Sequence, residues 1–177
     1  NVTSVPQGRG FDVNHISFKH FTTNANNIDY TGKYTNVKIL SASGIDKSGF
    51  VLDSLHGIFA MVVDSSIAIQ DLYLQTPRSK IQGSALLYPY SFTNLAKSTA
   101  QNKIQFNNNI ISKGDLQLLM PDIARTYQKQ LAGISRIYIT ASADGNAKRA
   151  VIHRVTLHSD KNDVYLDGSG VVTNALS

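Results

Sequence analysis

Residues Ile67 to Leu87, IAIQDLYLQTPRSKIQGSALL, leave the chain few choices of conformation. Apolar residues recur with a period of two, the period at which a β-strand presents side chains to one face. Ile67 and Ile69 set the phase, which slips by one residue near Asp71 and resumes at Leu72 and Leu74. A slip inside an alternating run predicts a β-bulge, one strand carrying an extra residue against its partner. Thr76-Pro77-Arg78-Ser79 predicts a tight turn, because the proline ring fixes φ near the value the second turn position needs. Beyond it Ile81, Gly83, Ala85 and Leu87 share a face. The stretch is a hairpin with one apolar face, and the question it poses is what that face covers.

The same grammar runs through the chain. Strands are predicted near Phe11–Phe21, Ile28–Tyr30 and Tyr34–Ala42, with loops at Asn24–Asn27 and Ser43–Gly49 and a turn at Thr31-Gly32-Lys33. Phe50–Leu55 and Ile58–Val63 are strand-like, with a bend at Gly57. Both faces of Ile58–Val63 are apolar, which predicts cover on two sides. Asp64-Ser65-Ser66 turns the chain into the hairpin, Tyr88-Pro89-Tyr90 ends it, and Ser91–Gln101 is a polar connection with one helical turn. Alternation returns over Lys103–Ile111 through Ile104, Phe106 and Ile110. From Ser112 to Leu131 the spacing becomes helical through Leu116, Leu119, Met120, Ile123, Tyr127 and Leu131, with Ser112 or Asp115 as N-cap and a break at Pro121. From Ile134 strands resume: Ile137 and Ile139 alternate, Asp144-Gly145-Asn146 is a hairpin signal, Val151, His153, Val155 and Leu157 share a face, and Val164 to Val172 form the last strand.

One unit occurs twice. IQDLYLQT from Ile69 aligns with IHRVTLHS from Ile152, and IQGSALL from Ile81 aligns with LDGSGVV from Leu166. The repeat units span about 50–90 and 131–174, joined by the partly helical connection 112–131, within a single segment 1–177. Repetition of a hairpin predicts a sheet that grows along an axis. The expected fold is therefore all-β with one or two short helices, an extended, curved, mainly antiparallel sheet. The alternative is a closed β-sandwich binding carbohydrate or protein.

Catalytic and metal signatures are missing from the sequence. There is no cysteine, and all twelve acidic residues are Asp. His15 and His20, like His153 and His158, are five apart, an odd separation that puts them on opposite faces of a regular strand and suits no shared metal. Gly168-x-Gly170 precedes no helical pattern, and no P-loop or G-x-S-x-G elbow occurs. Tyrosines, eight in number, could stack on sugars but in strands more often pack. Asn1-Val2-Thr3 is a glycosylation sequon of chance frequency. The formal net charge is +5, yet the seventeen Lys and Arg are scattered, with only Lys148-Arg149 adjacent, so no nucleic-acid partner is expected. No cofactor, no metal and no enzyme activity are expected.

FDVNHISFKHF, KSGFVLDSLHGIFAMVVDSSIAIQDLYLQTPRSKIQGSALLYPY, ISKGDLQLLMPDI and RAVIHRVTLHSDKNDVYLDGSG together resemble the TamB family, the translocation and assembly module subunit, and its AsmA-like relatives, in the form found in Bacteroidetes. The likeness runs from about Phe11 to about Asn174 and rests on strands, turns and the link from Ser112 to Pro121. It implies an internal segment of a periplasmic protein anchored to the inner membrane. It implies a taco-shaped sheet (β-taco) with an apolar groove, a role in phospholipid transport between membranes and in outer-membrane protein assembly, and a TamA-like outer-membrane partner met through other parts of the full-length chain. The residues expected to line the lipid groove are Phe59, Met61, Val63, Ile67, Ile69, Leu72, Leu74, Ile81, Leu87, Ile137, Ile139, Val155, Leu157 and Leu166. A continuous apolar lining holds an acyl chain without a discrete ligand constellation, since each methylene taken from water contributes about 0.8 kcal/mol.

Overall fold

A computed structural model describes residues 17–88, 100–146, 148–161 and 163–173. The predicted strand start at 11–16, with His15, and most of the connection 91–101 lie outside the described residues. Nine strands follow one another in space in the order they follow in sequence, each antiparallel to the last: β1 (Phe18–Tyr30), β2 (Tyr34–Asp46), β3 (Val51–Val62), β4 (Ser66–Gln75), β5 (Lys80–Leu87), β6 (Asn102–Ser112), β7 (Arg136–Gly145), β8 (Arg149–Ser159) and β9 (Tyr165–Thr173). β1 and β9 are the two edges of an open sheet, and no second sheet packs on it among the described residues. This is the extended, mainly antiparallel sheet predicted from the alternation, and it overturns the closed sandwich. It also corrects the expectation that Ile58–Val63 is covered on both sides: Ala60 pairs with Ala68 and Ile58 with Gln70 on a face that no other layer covers, and Val62 is exposed.

Register shifts recur at one level of the sheet. β2 carries an extra residue between Ile39 and Ala42, β4 between Ile69 and Leu72, β6 between Phe106 and Asn109, and β8 between Ile152 and Val155. Every second strand is thus bulged, and the bulges line up across the strands. The slip near Asp71 is one of them: Asp71 has φ 51°, Asn108 in the β6 bulge has φ 50°, and the Asp71 amide donates to Ser84 Oγ at 3.3 Å. The odd-numbered strands meet this line with small residues. Gly57 and Gly83, at φ 151° and 157°, lie there, as do Ala141 and Gly168. A bulge bends its strand and raises its twist, so an aligned set makes a crease perpendicular to the strands. The period of the sheet is therefore one hairpin, and β6 shares the bulge that the sequence repeat assigns only to β4 and β8.

Strands are longer than the composition of their loops predicts. Asn24–Asn27 stays in β1, where Asn27 at φ 51° absorbs an irregularity, and β2 runs to Asp46 through Ser43 and Gly44. Asn and Ser tolerate these ladders because the polar face is open to water. Three turns fall where predicted: Thr31 N–H donates to Tyr34 O, Ser65 N–H to Val62 O and Thr76 N–H to Ser79 O. The next comes later than the Asp144-Gly145-Asn146 signal: Asp144 and Gly145 still pair in β7, and Asn146 N–H donates to Arg149 O.

The helical link is two short helices, α1 (Lys113–Leu119) and α2 (Pro121–Thr126), joined at Met120. Ser112 is the N-cap, its hydroxyl accepting from the Asp115 amide at 3.0 Å. Pro121 opens α2, the helical position at which a missing N–H is least costly. The link closes one rim of the sheet, next to the β4–β5 turn. There most of the well-buried polar groups gather, among them Thr76, Ser79, Ser112, Asp115 and Ser159.

Candidate functional site

Cross-strand pairing decides which side chains share a face, because directly opposed residues point the same way. Following the pairs from β2 to β9 gives rows across the sheet. One runs Val37, Phe59, Ile69, Ala85, Ile104, Ala143, Ile152, Gly170; along the crease the next runs Ile39, Gly57, Leu72, Gly83, Phe106, Ala141, Val155, Gly168. A third joins Leu55, Leu74 and Ile81, is interrupted on β6 by the buried Asn109, which pairs with Ile139, and continues through Leu157 and Leu166. Met61, Ile67 and Leu87 form a row toward the opposite rim, and Ile111 pairs with Ile137 toward the helical one. All these rows lie on one face.

Thirteen of the residues read from the sequence as groove lining therefore fall on a single face: Phe59, Met61, Ile67, Ile69, Leu72, Leu74, Ile81, Leu87, Ile137, Ile139, Val155, Leu157 and Leu166. Val63 lies one residue past β3, where its amide donates to Lys33 O, and it is exposed. Leu166 belongs to the face but is half exposed on the edge strand. Sequence reasoning missed Val37, Ile39, Leu55, Ile104, Phe106, Ile111 and Ile152, which complete the face. Their signal was the same alternation, carried across bulges that only the pairing register locates.

The bulge in β8 also moves a histidine. Val151 and His153 lie opposite to Val155 and Leu157, because Ile152 pairs with Ala143 and Val155 with Ala141 on the apolar face. His153 thus stands on the polar face, paired with Asp144. The same shift puts His153 and His158 on one face, but His158 stacks on Tyr138 with centroids 4.7 Å apart, and no group of three metal-ligating side chains exists among the described residues.

The two faces differ in exposure as well as chemistry. On the apolar face no residue of β2 to β8 is exposed, whereas the other face exposes His56, Gln70, Lys103, Gln105, Arg136, Arg149 and Arg154. The apolar face is thus shielded by its own closely paired side chains, and the long charged and polar ones stand on the other. Along the crease large residues on even strands alternate with glycine or alanine on odd ones. The Phe106 ring lies over Gly83: a Cβ placed on Gly83 would stand 2.6 Å from Phe106 Cδ1 and 2.2 Å from Gln105 O. Small residues at the crease let the flanking walls approach, and the aromatic ring covers the backbone that glycine leaves bare.

At the helical rim the face ends in a polar belt. Asp115 accepts from Thr76 Oγ1 at 2.6 Å, Ser79 Oγ at 2.5 Å and Arg78 Nη2 at 2.9 Å. Burial works against its charge, but the hydrogen bonds from Ser79, Thr76 and Ser112, with the Arg78 guanidinium, outweigh burial and hold its pKa below the ordinary carboxylate value. No buried side-chain nitrogen or oxygen among the described residues lacks a partner. The belt is a hydrogen-bonded structural joint.

No protein-family model matches the chain, and neither a curated protein nor a solved structure matches it. No helix among the described residues is long and apolar enough to cross a membrane.

Proposed function

We propose that this chain is a segment of a periplasmic TamB-like protein whose concave apolar face carries the acyl chains of phospholipids between membranes, without catalysis. The observation that carries the reading is the continuous apolar face of an open sheet, with rows running from β2 to β9 along a crease of bulges. Eight strands at a spacing of about 4.8 Å make the face about 34 Å long across the strands. An acyl chain filling one leaflet of a hydrocarbon core about 30 Å thick needs about half that core, so a chain fits along the crease with room to slide. If about fifteen methylenes each lose half their water contact, the gain is on the order of 6 kcal/mol. That is enough to hold a chain against its ordering cost and too little to trap it. Such a surface favours passage over storage.

In the full-length protein, the inner-membrane anchor and a TamA-like outer-membrane partner would place the two ends of the conduit, and outer-membrane protein assembly would draw on the same supply of lipid. The test is lipid carriage by the purified chain. Native mass spectrometry is expected to find co-purifying phospholipid, and Ile69→Asp or Leu74→Asp to abolish transfer of a fluorescent phospholipid between vesicles, while Gln70→Asp on the opposite face leaves it intact. Absence of bound lipid together with undiminished transfer in both apolar-face variants would remove the proposal.

A further inference from the structure

The polar face carries a second site. A trench of 390 Å³ crosses β6 to β9. Its floor is the cross-strand pair Thr140 and Thr156, the row continues to Asp167 on β9, and Arg154 stands on the far side. A row of rings bounds it: Tyr138 and His158 stack nearly parallel, at 8°, and Tyr165 pairs with His158. Tyr165 is 67% exposed, and its hydroxyl donates to Asp167 Oδ2 at 3.1 Å. That bond reaches two residues along the strand and sets the apolar face of the ring beside a carboxylate. The Thr140 hydroxyl already accepts from the Asn108 amide at 3.1 Å, which leaves its own proton to donate.

We propose that this trench binds a neutral oligosaccharide. A sugar ring has an apolar C–H face and a rim of hydroxyls that both donate and accept. The exposed Tyr165 ring suits the first. The Asp167 carboxylate, the Arg154 guanidinium fork and the two threonine hydroxyls suit the second. One cation and one carboxylate line the trench, which disfavours a polyphosphate: nucleic acid needs several cations and would meet Asp167 with like charge. The site lies on the face opposite the apolar one and does not depend on lipid carriage. It would let the outside of the conduit hold a glycan while the inside is occupied.

The test is amide chemical-shift mapping of the full chain with tri-N-acetylchitotriose, with maltotriose and with a short oligodeoxythymidylate. Perturbations from at least one trisaccharide are expected at Thr140, Arg154, Thr156 and Tyr165, with affinity lowered about tenfold or more by Tyr165→Ala and by Asp167→Asn. Both positions lie on an exposed edge strand, and an unchanged circular dichroism spectrum confirms that the fold persists. Tyr73→Ala, a tyrosine on β4 outside the trench, is expected to bind as the parent does. Shifts with neither trisaccharide, shifts with the oligonucleotide alone, or affinity unmoved by both variants would overturn the site.

Discussion

At the scale of single residues, the crease rests on backbone positions that tolerate little change. Gly83 combines φ 157° with no room for a methyl group. Gly83→Ala is expected to cost about 2–4 kcal/mol through strain and overpacking, read as a lower denaturation midpoint, whereas Gly168→Ala, with open space around it, should be nearly neutral. Asp115 makes a prediction about pH. Its folded pKa is depressed, so the stability it contributes is present above the unfolded carboxylate pKa and lost as pH falls through the folded one. Asp115→Asn should cost about 2 kcal/mol at neutral pH, with the gap between parent and variant shrinking as pH drops below about 4. A gap that stays constant down to strong acid would show that the charge of Asp115 is irrelevant. Residue identity also explains what the sequence conceals. The slip at Asp71 is visible because a polar pair, Gln70-Asp71, interrupts isoleucines and leucines. The slip after Ile152 is hidden: Val151 and Ile152 are both β-branched and aliphatic, so either phase reads as apolar and His153 falls on the wrong face. Asn107-Asn108-Asn109 hides the β6 bulge for the opposite reason: no apolar side chain marks the phase there, so Ile110, read in line with Ile104 and Phe106, falls instead on the polar face, paired with Lys80 and Tyr138.

At the scale of elements, strand existence and turn positions were legible because alternation and turn chemistry are local. Strand ends were not, since Asn24–Asn27 and Ser43 carry loop composition and are held in the ladder by neighbours on both sides. The helical link was legible from its spacing and from Ser112 before it. Its role required the structure: Ser112 caps α1 while its amide donates to Ser79 Oγ at 2.9 Å, which ties the helix to the β4–β5 turn. Ser112→Ala should cost about 1 kcal/mol and lower the protection of α1 amides from hydrogen exchange, with those of β3 and β4 unaffected. Equal loss across the sheet would mean that the link and the strands unfold as one unit. The hairpin is the element that repeats, and its bulge is the part that bends the sheet. A regular ladder would twist without creasing.

At the scale of the whole molecule, a single layer of nine strands leaves the apolar face without a protein partner among the described residues. Among the described residues few large side chains are buried; Phe50, Leu52, Leu131 and Ile134 are, and none belongs to the mid-strand rows along the crease. An ordinary domain puts its largest apolar residues in a closed core, and this one spreads them along one face of an open sheet. The face could be assembled from the sequence only as a list, because its continuity is a property of register. The most direct measurement is photo-crosslinking of the full chain in phospholipid-containing membranes, with a benzophenone side chain placed at Leu74 or Leu157 on the apolar face and at Tyr73 or Thr156, their chain neighbours on the polar face. Acyl-chain conduction predicts phospholipid adducts at Leu74 and Leu157 and none at Tyr73 and Thr156. Adducts absent from the first pair, or equal at both, would contradict it.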